Sequence, residues 1–270
     1  MIGPLHGKVC VVTGALGLIG KALVRALAEA GGRVVLTDLD HGACADRAHA
    51  IGPDAFGHGA DITRRDSLAA LVAAILDRFG RVDALINSAA IDDKFGGAAP
   101  HDSMFEHYDV ARFRSVLDAN VTGTFLCCQV IGGAMRDRVA RAPGTGGAIV
   151  NIASTYGLVA PDQSLYRSPD GSQPFFKACA YPTSKAAVLG FTRYLAAYWG
   201  AAGIRVNALS PGGVENGQAE HFVANYRART PLGRMATADD YAGAAVFLVS
   251  DASSYMTGAN LVVDGGFTIW

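Results

Sequence analysis

The sequence has no apolar run long enough to cross a bilayer. Its longest apolar stretches are broken by Gly, Asp or Arg well short of the roughly 20 residues a spanning helix needs. It also has no block of like charge: 23 Lys and Arg stand against 24 Asp and Glu, spread along the chain, for a net charge of −1. That balance offers neither a nucleic-acid footprint nor a patch for a membrane surface. Cysteine is scarce, and Cys10, Cys44, Cys127, Cys128 and Cys179 form no CxxC pair. An odd set without that spacing reads as reduced thiols in or near a core. Cys127 and Cys128 are neighbours in a helical pattern and point to different faces, so no metal site is expected there. Met1 to Gly7 lacks the charged-then-apolar layout of a signal peptide, which makes a cytoplasmic protein the expectation. No repeat, low-complexity tract or linker divides residues 1–270, which are expected to form one domain.

Half of the residues are apolar, enough for one large core. Short β-branched runs at 9–13, 33–37, 84–87, 148–152, 205–209 and 260–263 read as buried strands, with a weaker one at 55–59. Helical patterns at 19–30, 67–79, 110–136, 181–201 and 238–249 alternate with them. This rhythm predicts an α/β fold: a doubly wound, seven-stranded parallel sheet of the Rossmann kind, with helices on both faces. Residues 92–109, 160–180 and 212–230 break the rhythm, and each follows a strand. Ligands of open α/β sheets bind beyond the carboxyl ends of strands, so these loops are candidate functional segments.

Thr13-Gly14-Ala15-Leu16-Gly17-Leu18-Ile19-Gly20 joins the first strand to the first helix. Gly14, Gly17 and Gly20 allow a tight turn and close approach of backbone to a pyrophosphate, and the helix N-terminus adds free N–H groups. The second strand ends at Asp38, whose carboxylate can accept both adenosine ribose hydroxyls and would repel a 2′-phosphate. NAD is therefore expected over NADP. A turn cap is the competing role for Asp38, although Asp40 fits a helix cap better. Asp61 after the third strand can meet an adenine amino group or simply start a helix.

Tyr181 and Lys185 are four apart at the start of a helix and share a face. A neighbouring ammonium and a cationic nicotinamide ring would favour phenolate in a phenol that titrates near ~10. Such a Tyr can act as acid or base. Ser154 emerges after the fifth strand at the same sheet edge, where its hydroxyl can hold a substrate oxygen as charge develops.

With these features in order, the sequence resembles the short-chain dehydrogenase/reductase family, single-domain type, over nearly its whole length. The resemblance takes in Asn87-Ser88-Ala89-Ala90, Asn120 in Ala119-Asn120-Val121-Thr122-Gly123, Ser154, Tyr181-xxx-Lys185, Asn207-xxx-Pro211-Gly212 and Val262-Val263-Asp264-Gly265-Gly266. It implies Tyr181 as acid/base, Lys185 on the nicotinamide ribose, Ser154 on the substrate carbonyl and Asn120 holding a relay water. Asn87, Ser88 and Ala89 would line the adenosine side, Ile62 would pack on adenine, and Pro211, Gly212 and Val214 would meet the carboxamide. Leu18 and Ile19 belong to the pyrophosphate turn. A homotetramer, or a homodimer, is the implied assembly. Asn120 also reads as a helix-bending structural residue.

Three departures follow. Single-domain members carry TGxxxGxG, but here position 18 is Leu and the glycine is Gly17. That spacing resembles nucleotide-sugar epimerases and dehydratases, which need a C-terminal substrate domain that this length does not hold. Between Ser154 and Tyr181 lies an extra polar segment from Pro161 to Pro174, read either as a surface excursion or subunit contact or as a wall for a polar substrate; His101, Asp102 and His107 either add to that wall or are simply solvated. After Pro211-Gly212, Glu215 or Asn216 stands where relatives carry a Thr for the carboxamide, and Glu220, His221, Tyr226 and Arg227 are polar positions of a lid or of a solvated helix. The loops predict a sugar-, sugar-acid- or polyol-like substrate, an alcohol or ketone. The C-terminal third, including Arg229 to Met235 and Tyr255 to Gly258, resembles reductases of surface-polysaccharide and sugar-acid metabolism. An epimerase or dehydratase, or a non-catalytic NAD-binding sensor, are the alternative readings.

Overall fold

The computed structural model describes residues 3–93 and 100–270. Seven parallel strands form one sheet: β1 (Val9–Thr13), β2 (Arg33–Asp38), β3 (Ala55–Gly59), β4 (Ala84–Asn87), β5 (Gly147–Ile152), β6 (Ile204–Pro211) and β7 (Asn260–Val263). Their order is β3-β2-β1-β4-β5-β6-β7, the doubly wound arrangement expected. In register, β1 runs Val9 against Arg33 to Thr13 against Thr37, and β4 runs Ala84 against Ala148 to Asn87 against Asn151. Every carboxyl end therefore reaches the same edge.

The strands read clearly because both faces are covered, which makes them near-continuous apolar runs. Cys10, Val12, Leu36, Ile86 and Val150 turn to one face. They pack there with Leu23 and Leu27 of α1 (Leu18–Glu29) and Leu248 of α9 (Ala242–Val249). Val9, Val11, Val35, Leu85 and Ile149 turn to the other. Leu68, Leu71 and Ile75 of α3 (Arg65–Phe79) and Leu195 and Trp199 of α7 (Ala180–Trp199) cover that face. The 3- and 4-residue spacing of the α3 set places one stripe inward, and each such side chain contributes about 1.5–3 kcal/mol by burial.

Two features depart from the expected helices. α2 (His41–Ile51) carries no apolar stripe and buries only Cys44 and Ala48, yet Asp40 caps it by accepting from Ala43 N at 2.9 Å. The continuous helix expected over 110–136 is instead α4 (Val110–Leu117), α5 (Gly123–Cys127) and α6 (Gly133–Arg141), joined by π-helical turns at Asp118–Thr122 and Cys128–Gly132. Thr124 Oγ1 donates to the Asn120 carbonyl at 2.8 Å, a back-bond that accompanies the first of these bends.

The loop expected at 92–109 is described only at Asp92, Asp93 and 100–109; residues 94–99 lie outside the described residues. The segment expected to be polar between Ser154 and Tyr181 instead feeds a small third core. Leu165 and Tyr166 bury against Val223 and Tyr226 of α8 (Glu220–Arg229), Met235 and Phe267. At the opposite, amino edge of the sheet, buried Asp83 accepts from Val9 N at 2.9 Å and pairs with Arg81 at 2.6 Å and Arg138 at 3.2 Å. Among the described residues, no helix is long and apolar enough to cross a membrane.

Candidate active site

At the carboxyl edge the chain leaves β1 through the glycine turn. Gly14 has φ of +65°, and a Cβ there would lie 2.6 Å from Ala89 Cα. At Gly20 a Cβ would fall 2.0 Å from the Gly14 carbonyl oxygen. Only glycine lets these three segments meet. Gly17 precedes α1, and no side chain caps that helix start. Its first N–H groups and positive dipole end thus face the cavity that Leu18, Ile19 and Gly20 help to line.

Asp38 ends β2, half-buried. Its Oδ2 accepts from Leu16 N at 3.0 Å and its Oδ1 from Leu39 N at 2.9 Å. The carboxylate thus braces the glycine turn from below. Thr13 Oγ1 accepts from Ser88 N at 3.1 Å and Ala89 N at 3.2 Å, tying the end of β4 to the same turn. Asn87 points into the sheet and donates to Asn151 Oδ1 at 2.8 Å. Asp61 accepts from Thr63 N at 2.9 Å and Thr63 Oγ1 at 2.7 Å, closing a turn ahead of α3, whose start at Arg65 it does not cap. Ile62 lies over Gly123, where a Cβ would fall 2.6 Å from its Cδ1. Asp38, Asp61, Ile62, Asn87 and Ala89 do not line the cavity, while Gly14, Gly17, Ser88, Pro211, Gly212 and Val214 do.

This cavity, of about 440 Å³, brings the glycine turn together with Ser154, Tyr181 and Lys185. Tyr181 and Lys185 open α7, and Ser154 leaves the end of β5. Ser154 Oγ accepts from Tyr156 N at 3.1 Å and lines the cavity beside Tyr181. Lys185 is buried, donates from Nζ to the Ile152 carbonyl at 2.8 Å and lies 5.6 Å from the Tyr181 ring centroid. Burial pushes the Tyr181 phenol up to about 12, and the Ser154 hydroxyl pulls against that rise. Burial also pushes the Lys185 ammonium down to about 8, opposed by the charge of Asp92. The phenolate expected of Tyr181 rests on the ammonium together with a cationic nicotinamide ring; in the chain alone the phenol stays protonated at neutral pH. Desolvation is the largest cause, and the charges of Asp92 and Tyr156 add to it.

Asn120 is buried beneath the site and does not line the cavity. Its Oδ1 accepts from Ile91 N at 2.8 Å, and its Nδ2 donates to Ile91 O at 2.9 Å and Ser184 Oγ at 3.0 Å. Ser184 in turn donates to the Tyr181 carbonyl at 2.7 Å. Asn120 thus links the loop after β4 to the helix turn that carries Tyr181 and Lys185.

The far wall is aromatic with hydroxyls among its rings. Tyr156, Tyr166, Phe222, Tyr226 and Met235 form it, with the Tyr156 and Tyr166 hydroxyls 2.9 Å apart. Glu215 and Asn216 do not line the cavity. Glu215 pairs with Arg227 at 3.1 Å, and Gln218 takes the lining position instead. Glu220, His221, Arg227, His101, Asp102 and His107 stay outside, the imidazoles of His101 and His107 stacked at 3.7 Å. Asp92 and Lys177 line the cavity and were not expected. Lys177 had one signal: it precedes Tyr181 by the same four residues by which Lys185 follows it.

The sheet order, the glycine turn at its carboxyl edge and the Ser154–Tyr181–Lys185 group are those of dinucleotide-dependent oxidoreductases. The family model described as "Enoyl-(Acyl carrier protein) reductase" matches residues 14–268. The chain is 37% identical over 273 residues to the D-threitol dehydrogenase of Mycolicibacterium smegmatis, covering 98% of this chain and 94% of that one. It is 39% identical over 270 residues to the cis-4-hydroxycyclohexanecarboxylate dehydrogenase of Sinomonas cyclohexanicum, covering 97% and 96%. A short-chain dehydrogenase from Leptospira borgpetersenii, solved with bound NAD+, superposes with a TM-score of 0.82 at 32% identity, covering 98% and 94%. The chain belongs to the short-chain dehydrogenase/reductase family and is an alcohol oxidoreductase of it.

Proposed function

We propose that the protein is an NAD-dependent dehydrogenase interconverting a secondary alcohol and a ketone on a sugar-, sugar-acid- or polyol-like substrate, with residues 1–270 acting as one domain. The observation that carries this reading is the meeting of Ser154 and Lys185 at the Tyr181 ring inside the cavity that also holds the glycine turn. The residues fit the cofactor: Gly14 and Gly20 let the turn, the end of β4 and the start of α1 pack closely, and the uncapped start of α1 faces the cavity they line. When bound, NAD supplies the nicotinamide carbon that takes hydride from the carbinol. Gly14, Gly17, Leu18, Ile19 and Gly20 hold the pyrophosphate in this reading, and Asp38 the adenosine ribose. Asp61, Ile62, Asn87, Ser88 and Ala89 shape the adenosine side. Pro211, Gly212 and Val214 wall the nicotinamide end.

In the oxidative direction Tyr181, as phenolate, takes the hydroxyl proton at Oη while Ser154 Oγ orients the substrate oxygen, and the proton leaves by way of Lys185. Lys185 holds positive charge beneath the phenol and the ribose, and Asn120 fixes the loop and helix turn on which the proton path depends. Exposed Tyr194 and Tyr198 on α7 and Phe125 on α5 support assembly into a homotetramer or homodimer, and five free cysteines suit a reducing, cytoplasmic setting.

Nicotinamide absorbance tests this reading. Tyr181→Phe is expected to lower turnover by about 10²–10⁴-fold with NADH affinity nearly intact. A variant that turns over normally would overturn the assignment. Asp38→Asn is expected to narrow the preference for NAD over NADP, and an unchanged preference would remove Asp38 from the cofactor site.

A further inference from the structure

Asp92 and Lys177 form an ion pair in the wall of the cavity that contains Ser154 and Tyr181. The Lys177 side chain is only 12% exposed and that of Asp92 38%. A lysine stem loses much rotamer freedom when held in this way, so its position needs a cause. Gln163 supplies one, by clamping the backbone of Lys177 from both sides. Its Oε1 accepts from Lys177 N at 2.8 Å and its Nε2 donates to Lys177 O at 3.1 Å. One residue earlier, Phe176 N donates to Ser103 Oγ at 2.8 Å. The extra segment before Tyr181 thus delivers one ammonium to a fixed place, 5.0 Å from the Tyr181 ring centroid.

We infer that the Asp92–Lys177 pair binds a second hydroxyl of the substrate, close to the carbinol held by Tyr181 and Ser154, and so selects neutral diols and polyols over hydroxy acids. This inference rests on the dehydrogenase reading above. Its chemistry is that of a donor beside an acceptor. The ammonium has three protons, and its pairing with Asp92 leaves protons to donate to a hydroxyl oxygen. The carboxylate accepts a hydrogen bond from that hydroxyl. A hydroxyl satisfies both groups at once. A substrate carboxylate satisfies only Lys177 and meets the charge of Asp92, and a lone alcohol satisfies neither. The aromatic faces of Tyr166 and Phe222 leave the rest of the wall suited to carbon skeleton.

The test compares butan-2-ol, butane-2,3-diol and 3-hydroxybutanoate by kcat/KM, with NAD and with NADP, in the wild type and in Lys177→Met, Lys177→Arg and Asp92→Asn. NADH fluorescence confirms that each variant folds and binds cofactor. The wild type is expected to prefer the diol to butan-2-ol and to use 3-hydroxybutanoate least. Lys177→Met is expected to lower the diol-to-monoalcohol ratio roughly 10- to 100-fold, the range of one charge-assisted hydrogen bond, and Lys177→Arg to keep most of it. Asp92→Asn is expected to raise 3-hydroxybutanoate relative to the diol. A ratio unchanged in Lys177→Met, or a wild type that prefers 3-hydroxybutanoate, overturns the inference while leaving the dehydrogenase reading intact. A wild type that oxidises none of the three, indistinguishable from Tyr181→Phe, overturns both.

Discussion

Lys185 shows what it costs a fold to bury a reactive group. Its ammonium is surrounded by protein and held by one carbonyl, and burial pushes it down to about 8 from an ordinary value of 10.5. Below about 8 both the folded and the unfolded chain carry the proton, and the folded state bears the full penalty of the buried charge. Above 10.5 neither carries it and the penalty vanishes. Stability of the cofactor-free protein should therefore rise with pH between about 8 and 10.5. The penalty is roughly 3 kcal/mol, at about 1.4 kcal/mol for each tenfold change in proton affinity. Lys185→Met removes it, against about 1 kcal/mol for the lost bond to Ile152. The variant is expected to be inactive, more stable than wild type at pH 7 and flat across this pH window. Urea unfolding at pH 7, 9 and 10.5 checks this, and a destabilised variant at pH 7 would contradict it. Tyr181 opposes this trend at higher pH. Its phenol is pushed up to about 12, so its contribution is complete below about 10 and lost between about 10 and 12.

At the scale of elements, what could be read in the sequence follows from what each element buries. β1 and β4 match their expected bounds because both sheet faces demand apolar residues. α2 was invisible because two buried side chains, Cys44 and Ala48, make no periodic stripe. The 110–136 pattern hid its π turns because they keep the same apolar face while shifting register. Tyr181 and Lys185 were legible from helical spacing, whereas Asp92 and Lys177, 85 residues apart on two loops, have no spacing that links them. The insertion misled for a different reason. Its charges and turns dominate the composition, but Leu165 and Tyr166, with Phe175 packed beside them, decide its packing. The Arg229–Asp162 ion pair fastens it to α8. Leu165→Ala should therefore cost about 2–5 kcal/mol locally. Hydrogen exchange is expected to quicken in 160–178 and 220–230 while the sheet stays protected, and KM for alcohol to rise. Faster exchange confined to 160–178 would show that the insertion and α8 do not share a core.

At the scale of the molecule, the two edges of the sheet separate stability from chemistry. The carboxyl edge holds the glycine turn and Ser154–Tyr181–Lys185, with its unfavourably buried cation. The amino edge holds Asp83, buried where β4 begins, which accepts from Val9 N and pairs with Arg138, itself anchored by Nε to Val82 O at 3.1 Å. Burial pushes the Arg138 guanidinium below its ordinary value and the charge of Asp83 opposes this, so the pair depends on both members. Asp83→Ala leaves the largely buried Arg138 without its counter-charge, and Val9 N and Arg81 without their acceptor, a loss of about 3–5 kcal/mol. Asp83→Asn keeps an acceptor for Val9 and should cost less. Because the pair lies across the sheet from the cavity, kcat and KM at 25 °C should be unchanged in both. For the same reason the loss in Asp83→Ala should add to the gain in Lys185→Met, the double variant matching the sum of the two within about 0.5 kcal/mol. Urea midpoints of the four proteins at pH 7 decide it. A double variant that departs from additivity by more than that would show the two edges to be coupled through the strands, and the division between them to be false.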